Sequence, residues 1–143
     1  MTIKTEFSDL IRAMARRDWG TADQIVAGLE KSGWDSGPQM LGAAFAIAVN
    51  ERFPDGASAQ EVADLVAATR AQFKDGHTFP GLQMEGIIRA ALGEAELVDG
   101  IDAETMLEVQ LLMIGKLLRD LDLDERQLEE FIAEVEETAQ RFM

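Results

Sequence analysis

The stretch from Arg119 to Phe131 reads RDLDLDERQLEEF and sets three aspartates on alternate positions, with glutamates after them. A calcium loop opens in that way. Begun at Asp120, such a loop finds oxygen ligands at its first, third and fifth places in Asp120, Asp122 and Asp124. Its sixth place needs glycine for a sharp turn and holds Glu125, and its twelfth needs a bidentate glutamate and holds Phe131. Helical phase accounts for the stretch better. Asp124 reads as an N-cap with Gln127 as its capping-box partner, and Leu123 and Leu128 as a hydrophobic staple across the cap. Glu125 then sits where the helix dipole favours a negative charge. The expectation is a helix start, not a metal site.

Other chemistry is sparse. His77 is the only histidine and lies in the loop KDGHTFPG. Its ordinary pKa near 6.5 suits a general base, but no nucleophile or acid in a recognisable pattern partners it. A capping or surface position is therefore expected, with the loop as the place for a pocket if the protein is an enzyme or ligand binder. A di-iron bundle needs Glu-x-x-His units, and Lys74 stands three residues before His77. A zinc motif of two histidines is excluded. Glu104 with Glu108, and Glu130 with Glu134 and Glu137, share helix faces on which a hard cation could bridge. They read as solvated faces. No GxxxxGK[ST] or GxGxxG loop is present. There are no cysteines, hence no disulfide, thiolate ligand or cysteine nucleophile, which fits a reducing cytoplasm. No cofactor is expected. The two tryptophans, Trp19 and Trp34, flank the second expected helix. With His77 they are the candidate contacts for a partner or ligand, tryptophan being enriched at interface hot spots.

The elements that must position these residues read as helical throughout. With 143 residues, 47% of them hydrophobic, the chain is expected to form one domain with a real core. Apolar residues recur at helical spacing, and no strand-like alternation with β-branched residues appears. The first helix is expected from Glu6 to Arg17. The second is capped by Thr21 with Gln24, buries Ala22, Ile25, Val26 and Leu29, and stops at Gly33. The third starts at Pro38 and is apolar on almost every side from Leu41 to Val49, which marks it as central. The fourth is capped by Ser58 with Glu61 and turns Val62, Leu65, Val66, Thr69 and Phe73 inward. The fifth runs from about Leu82 to Leu92, turns Ile87, Ile88, Ala91 and Leu92 inward, and stops at Gly93. The sixth, from about Asp102 to Asp120, is apolar on two sides and about 28 Å long. The seventh carries Leu128, Phe131, Ile132, Val135, Ala139 and Phe142 on one stripe. Gly42, Gly86 and Gly115 fall inside helices, each costing about 1 kcal/mol relative to alanine, which close helix–helix approach usually offsets. The expected fold is all-α, a compact bundle of six to seven helices built from antiparallel helical hairpins.

Two internal likenesses bear on that arrangement. Gln39-Met40-Leu41-Gly42 and Gln83-Met84-Glu85-Gly86 share the pattern QMxG near a helix start, each after a capped helix. They suggest two related hairpins. The segment RDWGTADQIVAGL resembles the second-helix half of a tetratricopeptide repeat over about thirteen residues. Trp19, Ala22 and Val26 stand where that family places an aromatic, a small and a large apolar residue. The resemblance implies that the first two helices form an antiparallel hairpin with a tight turn. No second copy follows about 34 residues on, where Phe53, Gly56 and Gln60 fall.

Charge narrows function by exclusion. The formal net charge is −14, and residues 94–143 hold 15 of the 27 acids but 4 of the 13 bases. Such a chain repels nucleic-acid phosphates and anionic membrane surfaces. Arg12, Arg16 and Arg17 form its only basic cluster, too small for a nucleic-acid footprint. No signal peptide or membrane span is read. The expectation is a small acidic cytoplasmic interaction or regulatory module, without catalysis of its own and with a basic protein partner. The alternatives are a ligand-binding protein or enzyme with a pocket near the His77 loop, and a structural homo-oligomer, such as a homodimer, built on a leftover apolar face.

Overall fold

A helix with no polar face has to be enclosed, and the bundle is assembled around one. In the computed structural model, which describes residues 5–72 and 81–141, seven α-helices and no strand are present among the described residues. They are α1 (Thr5–Ala15), α2 (Trp19–Ser32), α3 (Gly37–Arg52), α4 (Ala59–Gln72), α5 (Gly81–Ala91), α6 (Ala103–Leu121) and α7 (Glu125–Arg141), with a short 3-10 helix at Ala95–Val98. The fold is all-α. Helix α3 packs most extensively on α6, then on α7, and also touches α5 and α1. Met40, Leu41, Ala44, Ala48 and Val49 of α3 are fully enclosed, as are Val109, Met113, Ile114 and Leu117 of α6. Burying each large aliphatic side chain contributes about 1.5–3 kcal/mol, so this shared seam contributes substantially to stability.

Helix α2 is peripheral. It packs on α1, and only Ala22 and Leu29 of its stripe are buried, while Ile25 and Val26 stay half-exposed. Helix α5 packs on α4 and on the 3-10 helix. There Gly86 has the close approach expected of a helical glycine, since a Cβ would stand 3.3 Å from the Leu97 carbonyl oxygen. Met40 and Met84 of the two QMxG segments are both fully buried, and both segments lie in the first turns of helices that begin with glycine. Their surroundings differ, because α5 leans on the preceding helix whereas α3 leans chiefly on α6 and α7. Phe73 and His77 lie outside the described residues.

Hydrogen bonds at the helix ends follow the residue chemistry. At α4 the Ser58 N–H donates to Glu61 Oε1 and the Glu61 N–H to Ser58 Oγ, both at 3.1 Å, a reciprocal capping box as expected. At α7 the Asp124 N–H donates to Gln127 Oε1 at 3.0 Å and the Gln127 N–H to Asp124 Oδ1 at 2.8 Å. Leu128 is buried and Leu123 packs partly buried on the core. RDLDLDERQLEEF is thus a helix junction, closed by Asp122 in the left-handed region at φ 47°. One cap departs from expectation. Helix α2 begins at Trp19, two residues before Thr21, and its N-cap is Asp18. The Asp18 carboxylate is the stronger acceptor. It takes the Thr21 N–H at 3.3 Å and the Thr21 hydroxyl at 2.7 Å, so Thr21 is a donor rather than the cap. Asp102 and Thr105 repeat the arrangement at α6.

Helix α1 also ends early, at Ala15. The Asp18 N–H reaches the Ala13 carbonyl at 2.9 Å and the Arg17 N–H reaches Met14 at 3.1 Å, the two bonds of a Schellman turn. That turn puts Arg17 at φ 58°. Gly93 holds the matching place after α5, at φ 123° with the same pair of bonds through Glu94 and Gly93. A left-handed non-glycine residue costs about 1–2 kcal/mol, and glycine's extra unfolded-state freedom costs about 0.5–1 kcal/mol. Arg17→Gly is therefore expected to stabilise the protein by roughly 0.5–1 kcal/mol in urea unfolding, and Arg17→Val to destabilise it.

Helix α7 is also tied to α1 by charge. Both oxygens of Glu129 accept from Arg12, Nε and the terminal nitrogen each at 2.9 Å, and Arg16 grips Glu125 the same way at 3.1 and 2.7 Å. These hydrogen bonds hold both glutamates below their ordinary pKa, with the arginine charge adding to the effect. A carboxylate with a lowered folded-state pKa contributes stability above its unfolded value near 4.5, and that contribution is lost as pH falls through the folded value. Between pH 7 and pH 3, Glu125→Gln/Glu129→Gln is expected to lie below the parent in thermal midpoint at neutral pH. The gap should close below about pH 4.5, which melts across that range would measure.

Candidate functional site

Trp19 is one of three large apolar side chains left exposed among the described residues, at 41%. As the first residue of α2, next to the Asp18 cap, it reaches α6. The edge of its indole stands 3.5 Å from where a Cβ on Gly115 would lie. Gly115 therefore gives the ring its seat. Beyond the ring the surface opens into a crevice of about 340 Å³ between α1, α2 and α6. Leu10 and Met14 of α1 and Ala22 of α2 form its buried floor, while Val26, Leu111 and Leu112 are half-exposed walls. Polar groups occur only at the edges, Asp23 on α2 and Glu108 on α6. The size falls at the lower end of the roughly 300–1,000 Å³ of ligand pockets, and the lining is apolar as in such pockets.

This arrangement revises the expectation for α6 as a helix buried on two sides. Its 109–113–117 row is enclosed, whereas Leu111 and Leu112 open into the crevice, because peripheral α2 reaches over them only with Trp19 and its neighbours. The signal was present in the sequence as a surplus of apolar residues on α6. A stripe of that kind does not say which row its neighbours leave uncovered.

The candidate residues separate in space. Trp19 lines the crevice. Trp34 does not. It is half-buried beside the start of α3, its ring 6.0 Å from that of Phe7 and tilted 42° to it, an aromatic pair. His77 and the pocket expected near its loop lie outside the described residues. Met14, Leu111 and Leu112, which the sequence marks only as members of apolar stripes, complete the site.

A second cavity is larger, about 670 Å³, and polar, between the end of α3, α4 and α6. Its cations are already occupied. Lys116 reaches Asp120 at 2.9 Å, Arg52 approaches the same carboxylate at 3.9 Å, and the Arg52 guanidinium lies 4.8 Å over the Phe53 ring. We assign it a structural role, closing α3 onto α6. Among the described residues no group of three His, Cys, Asp or Glu side chains is placed to hold a metal ion. No family model, curated protein or solved structure matches the chain.

The seat at Gly115 makes a direct test of the site. A Cβ there meets the indole only at van der Waals distance, so Gly115→Ala is expected to leave Trp19 in place and to add up to about 1 kcal/mol of stability from helix propensity. Gly115→Leu fills the seat and lifts the ring into water. In a Trp34→Phe background the Trp19 emission should shift to the red in Gly115→Leu and stay unchanged in Gly115→Ala.

Proposed function

We propose that this protein is a small acidic cytoplasmic interaction module that takes an amphipathic, basic helix of a partner protein into the α1–α2–α6 crevice. The reading rests on one observation, an almost wholly apolar crevice with an exposed tryptophan on one wall and a carboxylate at each edge. A helix lays apolar side chains at i, i+3 or i+4 and i+7 into such a groove. Trp19 supplies a large, stiff anchor surface, and Asp23 and Glu108 stand where lysines or arginines flanking the apolar stripe come to rest. The net charge of −14 adds long-range attraction for a basic partner and repulsion for phosphate backbones, so nucleic acid and anionic membrane surfaces are poor partners. No helix among the described residues is long and apolar enough to cross a membrane. Nothing in the crevice combines a nucleophile with a base, which favours binding over catalysis.

The test is a titration of the Trp34→Phe protein with a synthetic helix carrying leucines at heptad spacing and flanking lysines. The Trp19 emission should report binding. Affinity should fall at least about tenfold between low and high salt, because the attraction is screened. Trp19→Ala should cost about 2 kcal/mol of binding free energy, a hot-spot value. Salt-independent affinity would count against the proposal.

A further inference from the structure

Helix α3 lacks a polar face, yet one side of it is only partly covered by the described chain, with Gly42, Ala46 and Ile47 half-buried. Gly42, Ala46 and Asn50 follow at intervals of four, which places them on one face. Three shallow hollows, of about 500, 460 and 250 Å³, meet along this face, each lined by Gly42, Ala46 or both. Together they run between α7 on one side and α5 with the 3-10 helix on the other. Nothing among the described residues lies within 4 Å of where a Cβ on Gly42 would stand. A glycine inside a helix is destabilising. Gly86 has the Leu97 carbonyl at 3.3 Å from such a Cβ and Gly115 the Trp19 ring at van der Waals distance, whereas Gly42 on central α3, like the exposed Gly28 on peripheral α2, has no neighbour among the described residues.

Charge indicates what fits there. At the C-terminal end of the face, Glu51 of α3 and Glu134 of α7 line the same hollow with Asn50. The Glu51 carboxyl is pushed above its ordinary value, first by partial desolvation and then by the Glu134 charge. Among the described residues no cation pairs with either carboxylate. Asn50 is turned away, donating to the Ala46 and Ala91 carbonyl oxygens at 2.8 and 3.3 Å.

We infer that this face of α3 is a second docking surface, for a partner helix with small side chains along its contact stripe and a lysine or arginine at the end that meets Glu51 and Glu134. Gly42 and Ala46 let the two backbones approach closely, and the cation neutralises a like-charge pair that the fold leaves uncompensated. A second copy of the chain fits less well, since it brings another −14 against acidic α7. The surface is separate from the Trp19 crevice. On α6, Met106 and Gln110 border it, while Glu108, Leu112 and Gly115 border the crevice from the opposite side of the same helix.

The experiment uses the full chain and two labelled helical peptides with identical alanine–serine stripes, one ending in two lysines a turn apart and the other in two glutamates. Fluorescence anisotropy should show the lysine peptide binding at least about tenfold more tightly. Gly42→Leu should abolish that binding while circular dichroism shows an intact helical fold, and Gly42→Ala should weaken it while raising the melting temperature. Glu51→Gln/Glu134→Gln should erase the preference for lysine. Trp19→Ala should leave all of this unchanged, which separates the result from the fate of the crevice. Equal binding of the two peptides, binding of neither, or a dimer in sedimentation that Gly42→Leu dissolves would each overturn the inference.

Discussion

Enclosure of α3 is the constraint on which the rest of the structure depends. From Leu41 to Val49 this helix offers no charged side chain to water, and leaving it exposed would cost a large part of the narrow margin by which folded proteins are stable. The solution is a long, doubly apolar α6 laid against one side and the amphipathic α7 against another, with α1 and α5 filling in. Helices α2 and α4 do not touch this seam extensively. They are outer layers, and the surface features of interest arise where those layers stop. The Trp19 crevice is the edge of α2, and the open side of α3 is the gap between α5 and α7.

The ends of the helices are fixed by a small set of side-chain bonds rather than by the core. Two Asp-x-x-Thr pairs start α2 and α6, and reciprocal boxes start α4 and α7. Each is worth on the order of 1 kcal/mol, but together they decide register, because a helix begun one residue late turns its apolar stripe by about 100°. The Asp18 cap shows the link to the site. It fixes where α2 begins, so it fixes which residue of α2 points at Gly115.

Much of this was legible in the sequence. Helical spacing located each of the described α-helices, the capping residues located several starts to within a residue or two, and the failed calcium loop at Asp120 became the start of α7. Three things were not legible, each for a physical reason. Thr21 and Asp18 both suit an N-cap, and the choice between them is made by the geometry that lets one carboxylate take both the Thr21 amide and hydroxyl. The end of α1 was hidden because Arg17 occupies a left-handed position that glycine marks elsewhere, as at Gly93. The crevice was hidden because periodicity reports that Leu111 and Leu112 are apolar, not whether a neighbouring helix reaches them. Trp19 stands out by residue type alone. Its partner Gly115 stands out only as a helical glycine in need of a reason.

Electrostatics then distinguishes the two surfaces from the rest of the exterior. The basic cluster that the sequence places on the first helix is largely spent inside the molecule, Arg12 on Glu129 and Arg16 on Glu125. Arg89, Arg126 and Arg141 are likewise tied to Glu94, Glu130 and Glu137. Pairs of this exposed kind add little stability, typically about 0–1 kcal/mol, yet they remove most of the positive charge from the surface field. What remains is acidic, and beside the two apolar openings it includes Asp23 with Glu108, and Glu51 with Glu134. A neutral apolar helix would gain contact area at either opening but would leave those carboxylates partly desolvated and unpaired, whereas a helix bearing cations at matching positions gains both terms. On the proposed reading, discrimination would come from the carboxylates and adhesion from the apolar floor.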